Sequence, residues 1–241
     1  MRSADLSLLV MIPTRGRRAQ CERLLESFTE TVTGDDTDLV FISDGDDQES
    51  YEGMDWGPAT HAVIDPRMPF SGKLNAVAMV AVEDYDVLMW VGNDHVFQTP
   101  AWDKLLLAAL ADLGGHGWVY PDDKRRSDVP EIWMCSSSVV KALGWFAPPY
   151  MDHYYTDNAV AELGKRAGLI RFVPEVVIEH LHYSVHPETE YDGLYKEAEE
   201  RWGQSDLEAF QEWRSSQCAN EVSVLRRNFS PDVAWVLSRV G

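Results

Sequence analysis

Residues 6–12 form the first patterned stretch of the chain, LSLLVMI, apolar at every position but Ser7 and stopped by Pro13. A continuous apolar run of this length, bounded by a breaker, predicts a strand covered on both faces. Residues 18–31 then place Cys21, Leu24, Leu25 and Phe28 at helical spacing. A second buried strand is expected over 38–42, closed by Ser43-Asp44-Gly45-Asp46, and a third over 60–64. Residues 72–82 read as a helix with small residues on one face, 86–91 as a strand, and 101–113 as an amphipathic helix opened by Thr99-Pro100.

The alternation continues less regularly. Strands are expected over 117–120 and 131–136, a short helix over 138–143 before Gly144, and a helix over 156–167 stopped by Gly168. Strand-like segments, 170–173 and 176–182, flank Pro174. From His186 the pattern changes to charged amphipathic segments at 191–202, 205–215 and 232–240, a helical tail packed on the domain or on a partner subunit. The expected fold is therefore α/β. A mostly parallel central sheet carries helices on both faces, residues 1–185 form the main domain, and 186–241 form a helical extension.

Composition narrows the function classes. At 241 residues and 45% hydrophobic, the chain can bury a sizeable core. Its net charge of −19 repels nucleic-acid backbones and anionic membranes unless a basic patch intervenes. Two basic clusters exist. Arg15, Arg17 and Arg18 follow the first strand and can meet a phosphate; Lys124-Arg125-Arg126 reads as a solvated loop. Three scattered cysteines without a CxxC exclude a disulfide scaffold and a zinc ribbon and suit a reducing compartment. No stretch has the length and apolarity of a membrane span, so a cytoplasmic location is expected. Several of the nine tryptophans, Trp56, Trp102, Trp202 and Trp213, lie among polar residues and are candidates to line a cleft.

The candidate chemistry sits at strand ends. The strand over 86–91 runs into Asn93-Asp94-His95, an oxygen-and-imidazole set able to hold a metal; a simple turn capped by Asp94 is the plainer alternative. Other islands are Pro13-Thr14-Arg15, Ser43-Asp44-Gly45-Asp46, Tyr155-Thr156-Asp157 at a helix start, and His180-Leu181-His182, whose alternation puts both imidazoles on one strand face. Neither GxGxxG nor GxxxxGK[ST] occurs, so any nucleotide must be held by side chains and a metal.

The order of these islands resembles the GT-A fold glycosyltransferases of the large, inverting family-two type, which use nucleotide sugars. The resemblance covers roughly residues 6–183. It is carried by Pro13-Thr14-Arg15-Gly16-Arg17, Ser43-Asp44-Gly45-Asp46, Gly72-Lys73-Leu74-Asn75, and Asn93-Asp94-His95 followed by Pro100-Ala101-Trp102. Gly144-Trp145-Phe146, Thr156-Asp157-Asn158 and the Pro174-to-His180 strand complete it. The family's acidic pairs are reduced here: Asn93, Ser43 and Thr156 each stand where it usually carries an acid.

The resemblance implies a Rossmann-like sheet with a nucleotide pocket at the ends of the first two strands. Pro13, Thr14, Arg15 and Asp44 would line it, Lys73 and Asn75 would lie near the nucleotide or donor sugar, and Asn93 and Asp94 would face the diphosphate. Mn²⁺ or Mg²⁺ would sit on Asp94 and His95, with His180 as third ligand and His182 in reserve. Asp157 would be the general base; a first-turn acid that suits the helix dipole is its alternative, as a core histidine is for His180. Asp152 and His153 could contact the acceptor, which is a glycan, a protein side chain, a lipid-linked sugar or a modified nucleobase. The expected activity is metal-dependent glycosyl transfer from a nucleotide sugar, with UDP-sugar the family's default and homo-oligomerisation through the C-terminal helices an option. A non-catalytic nucleotide-sugar or glycan-binding module on the same fold is the competing reading, and a nucleotidyltransferase the third.

Overall fold

The structure is a computed structural model that describes residues 6–34 and 36–229. The helix expected over 232–240 lies outside the described residues. The strands are β1 (Leu8–Pro13), β2 (Thr37–Asp44), β3 (Thr60–Ile64), β4 (Val87–Trp90), β5 (His95–Phe97), β6 (Trp118–Asp122), β7 (Trp133–Ser136) and β8 (Ile170–His180). The helices are α1 (Arg18–Thr31), α2 (Phe70–Ala81), α3 (Trp102–Asp112), α4 (Ser137–Leu143), α5 (Thr156–Ala167), α6 (Gly193–Ser216) and α7 (Cys218–Phe229).

One sheet holds all eight strands in the order β3-β2-β1-β4-β7-β6-β8-β5. β3, β2, β1 and β4 are mutually parallel, and β6 and β8 pair in parallel; β7 and β5 run against their neighbours. The mostly parallel sheet expected from the apolar runs is present.

Alternation along β1 explains its unbroken apolarity. Leu8, Val10 and Ile12 point into one core layer, with Leu24 and Phe28 of α1 and Leu106 and Leu110 of α3. Leu9 and Met11 point into the other, with Leu74 of α2, Val140 of α4, and Val160 and Leu163 of α5. A strand covered on both faces has no solvent side to fill with polar residues.

β8, α6 and α7 depart from the sequence pattern. The segments on either side of Pro174 are one strand, β8, whose pairing with β6 skips from Pro121–Val173 to Asp122–Val177. Proline donates no ladder hydrogen bond and is accommodated in this irregularity. The segments 191–202 and 205–215 are one helix, α6, which continues through Gly203; an interior glycine costs only about 1 kcal/mol against alanine. The helix α7 was not anticipated, although Cys218, Val222 and Leu225 recur at helical spacing and are buried against the α4–α5 face. No helix among the described residues is long and apolar enough to cross a membrane.

Candidate active site

The carboxyl ends of β1, β2 and β4 open into one cleft of about 330 Å³. This is the edge at which open α/β sheets bind ligands. The cleft gathers Pro13, Thr14, Arg15, Asp44, Lys73, Asn93, Asp94, His95, Asp157 and His180, all singled out above for donor, metal or base. Asn75 is not among its lining. The Asn75 amide donates to Ala147 O (2.7 Å), and its Oδ1 accepts from the Phe146 and Ala147 amides (2.8 and 2.9 Å), so it ties α2 to the segment after α4.

At the β2 end, Asp44 is 1% exposed and surrounded by cations: Lys73 Nζ at 2.7 Å, Arg15 Nη1 at 3.2 Å and Arg67 Nε at 4.0 Å. Arg15 also pairs with Asp46, and Arg67 with Glu197 of α6 at 2.9 Å. Between β1 and the β4 end lies a buried polar knot. Thr14 Oγ1 contacts Tyr51 Oη (2.8 Å) and Cys21 Sγ (3.0 Å) and accepts from Asn93 Nδ2 (2.8 Å). The Asn93 amide is thus a tie between strand ends.

The turn after β4 delivers Asp94, and β5 begins at His95. β5 pairs antiparallel with β8 so that His95 stands directly opposite His180, and the two imidazoles stack at 4.1 Å. This short strand was missing from the sequence reading, yet it is what brings the two rings together. Asp94 Oδ1 lies 3.2 Å from His95 Nδ1 and 3.5 Å from His180 Nε2. One ligand atom from each of the three residues falls within 4.8 Å of the others.

Three observations fit this cluster to a divalent cation. The His95 Nε2 is buried with no hydrogen-bond partner. Gly92 leaves the space beneath the pair open: a Cβ there would stand 2.7 Å from Asp94 Oδ1 and 2.9 Å from His95 Nδ1. His180 is held by a carboxylate behind it, Nδ1 to Glu131 Oε2 at 3.1 Å, which orients the ring with Nε2 toward Asp94. Carboxylate-backed imidazoles are the usual outer support of metal-ligating histidines, and Mn²⁺ accepts both oxygen and imidazole nitrogen.

The three side chains shift one another's proton affinity. Burial alone would raise the Asp94 pKa, but hydrogen bonds and charge from His180 and His95 hold it well below the usual carboxylate value. Burial would lower His180, yet Asp94 and Glu131 together push it up to about 9. Burial, with repulsion from His180, lowers His95.

Asp157 enters from the first turn of α5. Tyr155, the residue before that helix, adopts a left-handed backbone (φ 63°), uncommon for a bulky side chain, and its ring stacks on Phe210 of α6. Burial lifts the Asp157 pKa to about 6, with Glu131 adding repulsion. Glu131 goes the other way, down to about 2, because its bonds to His180 and Arg125 outweigh its burial. Two carboxyls of one cleft are therefore driven apart, the arrangement by which one acts as base while the other stays ionised.

Residues the sequence did not single out complete the cleft. Arg125 belongs to a cluster expected to be solvated; it pairs with Glu131 at 2.6 Å, while Lys124 and Arg126 pair with Asp122 and Asp128. Leu194, Tyr195, Glu197 and Ala198 of α6 line it as well. Of the four tryptophans in polar surroundings, Trp202 lines the cleft, Trp102 and Trp213 are buried, and Trp56 stacks on His61. His153 also lines the cleft, stacked on Trp202. His182 lines it beyond the end of β8, in a turn and not by strand alternation.

No protein-family model matches the sequence, and no curated protein does. Solved structures do match. The mannosyltransferase PcManGT from Pyrobaculum calidifontis, in complex with GDP-Man and Mn²⁺, has a TM-score of 0.57 at 13% identity, over 97% of this chain and 79% of that one. The fold is GT-A. Residues 1–349 of S. aureus TarS with UDP-GlcNAc give 0.56 at 12%, over 95% of this chain and 69% of that one. Glucosyl-3-phosphoglycerate synthase from Mycobacterium tuberculosis, with Mn²⁺, UDP-Glc and glycerol 3-phosphate, gives 0.56 at 16%, over 74% and 73%. Against another TarS structure the match spans 36% of that chain's length. Within the GT-A fold, the cleft lies where the carboxyl ends of the parallel strands meet the β5–β8 hairpin.

Proposed function

We propose that this chain is a metal-dependent, inverting glycosyltransferase that moves a sugar from a nucleotide sugar, UDP-sugar first, to an acceptor hydroxyl. The carrying observation is the Asp94–His95–His180 cluster with Asp157 in the same cleft. Solved structures of the same fold that hold UDP- or GDP-sugars support the donor, and the two that also hold Mn²⁺ support the metal.

Arg15, Asp44, Arg67 and Lys73 would bind the nucleoside end of the donor, next to Thr14 and Pro13. Asp94, His95 and His180 would hold Mn²⁺ or Mg²⁺, which supplies neutralisation of the diphosphate charge as the nucleoside diphosphate leaves. Asp157 takes the proton of the acceptor hydroxyl while that oxygen forms its bond to the anomeric carbon and the bond to the diphosphate breaks. A base with a pKa of about 6 is ionised at neutral pH yet basic enough to accept that proton. Residues 1–185 would then be the domain that carries the donor and the base, and α6, in the extension that follows it, closes the cleft. A cytoplasmic location suits three free, buried cysteines.

The test is release of nucleoside diphosphate from a panel of UDP- and GDP-sugars with Mn²⁺ or with chelator. Mn²⁺-dependent release supports the proposal. No release from any donor, with UDP still raising the melting temperature, replaces it with a non-catalytic nucleotide-sugar-binding module.

A further inference from the structure

Asp94 has two carboxylate oxygens, and they face different partners. Oδ1 faces the two imidazoles, as described. Oδ2 accepts from the Tyr195 hydroxyl at 2.7 Å and from Arg17 Nη1 at 3.3 Å. Tyr195 lies in the first turn of α6, a hundred residues away in sequence. Arg17 packs over the Tyr195 ring, 4.4 Å from its centroid. It also grips Asp192 with two parallel bonds, both 2.9 Å. Asp192 caps α6 through the amides of Leu194 and Tyr195 at 3.0 and 3.1 Å. The clamp therefore runs from β1–α1 through the α6 cap to the far oxygen of the candidate ligand.

We propose that Tyr195 is a positioning residue for the cation site, and that docking of α6 sets its affinity for divalent metal. The inference rests on the reading of Asp94, His95 and His180 as ligands. An aspartate carboxylate turns freely about its last torsion, because that torsion has broad wells. With Oδ2 held by a hydroxyl and a guanidinium, Oδ1 stays aimed at both imidazoles. A ligand carboxylate fixed from behind binds metal more tightly, and loss of such a partner typically costs about 10–100-fold in affinity. By linkage, a cation that binds better with α6 docked also holds α6 down.

The experiment is a Mn²⁺ titration of the full chain, followed by calorimetry and by the paramagnetic resonance of free Mn²⁺, with no donor present. Tyr195→Phe removes one hydroxyl and keeps the ring under Arg17; Mn²⁺ affinity is expected to fall about 10-fold or more, with the melting temperature little changed. Asp192→Asn keeps a good helix cap but loses the paired contact with Arg17; affinity falls in the same direction by less. Mn²⁺ should also slow amide exchange in the first turns of α6 in the wild type. Tyr195→Phe binding Mn²⁺ within twofold of the wild type overturns the positioning role alone. If Tyr195→Phe does not fold, an unchanged affinity in Asp192→Asn overturns it instead. A wild type that binds no Mn²⁺ overturns the cation site itself.

Discussion

Asp157 and Asn93 carry the sharpest consequences at the scale of single residues. As general base, Asp157 must be ionised, so kcat/KM is expected to rise with pH through about 6. Asp157→Asn should cut kcat by about 10²–10⁴-fold and leave UDP binding intact; lost UDP binding would remove Asp157 from the base role. The same carboxyl affects stability with a definite sign. Its folded pKa lies above the ordinary value of 3.8, so the folded state favours the protonated form. That contribution is complete below about pH 4 and is lost as pH rises through 6. Asp157→Asn should therefore be more stable than the wild type at pH 7.5, by at most about 3 kcal/mol in urea unfolding, with the gap closing toward pH 4. Asn93 stands where the family usually carries an acid, yet its amide donates to Thr14 within a buried knot. Asn93→Asp should not tighten Mn²⁺ binding, and it should cost about 1–3 kcal/mol through the lost donor, read by urea unfolding.

Among elements, β5 and α6 do most to build the site; β5 was hard to see in the chain, while α6 was expected as two amphipathic segments without its place over the cleft. His95-Val96-Phe97 has three residues, too few for a period to register, and its strand character comes from pairing with β8. The longer runs behaved otherwise: the helices over 18–31 and 156–167 and the strand over 60–64 fall where their patterns put them. The motif residues at strand ends were legible because apolar runs end abruptly there. Glu131, Arg125 and Tyr195 were not assigned to the site, and Arg17 was read only as a phosphate contact, because only tertiary packing brings them to the cleft and to Asp94. α6 also holds the approach to the base. Asp206, 3% exposed, accepts from the amides of Asp152, His153 and Tyr154 at 2.9, 2.8 and 2.8 Å, just ahead of α5. Asp206→Ala leaves three amides without their acceptor and should destabilise by about 2–4 kcal/mol. Thermal unfolding reads the loss, and turnover should fall with it as the Asp157 turn loosens.

Over the whole molecule, the charge of −19 bears on the acceptor. The cations of the cleft are already matched: Arg15 by Asp44 and Asp46, Arg17 by Asp94 and Asp192, Arg67 by Glu197, Arg125 by Glu131. With no surplus of positive charge to release counterions, the protein should not retard duplex DNA in a gel at physiological salt. A retarded band that weakens with added salt would bring a polyanionic acceptor back. The residues proposed for each role lie at one edge of one sheet: those for the nucleoside at β2, those for the diphosphate and cation at the β4 turn and β8, and the proposed base at α5. The cation locus is the hinge of that account. The most direct measurement is a crystal soaked with Mn²⁺ and UDP, with the anomalous signal of manganese mapped. The account predicts one peak within bonding distance of Asp94, His95 and His180 and of a UDP phosphate oxygen. UDP bound in the cleft with manganese absent or on other residues would contradict it.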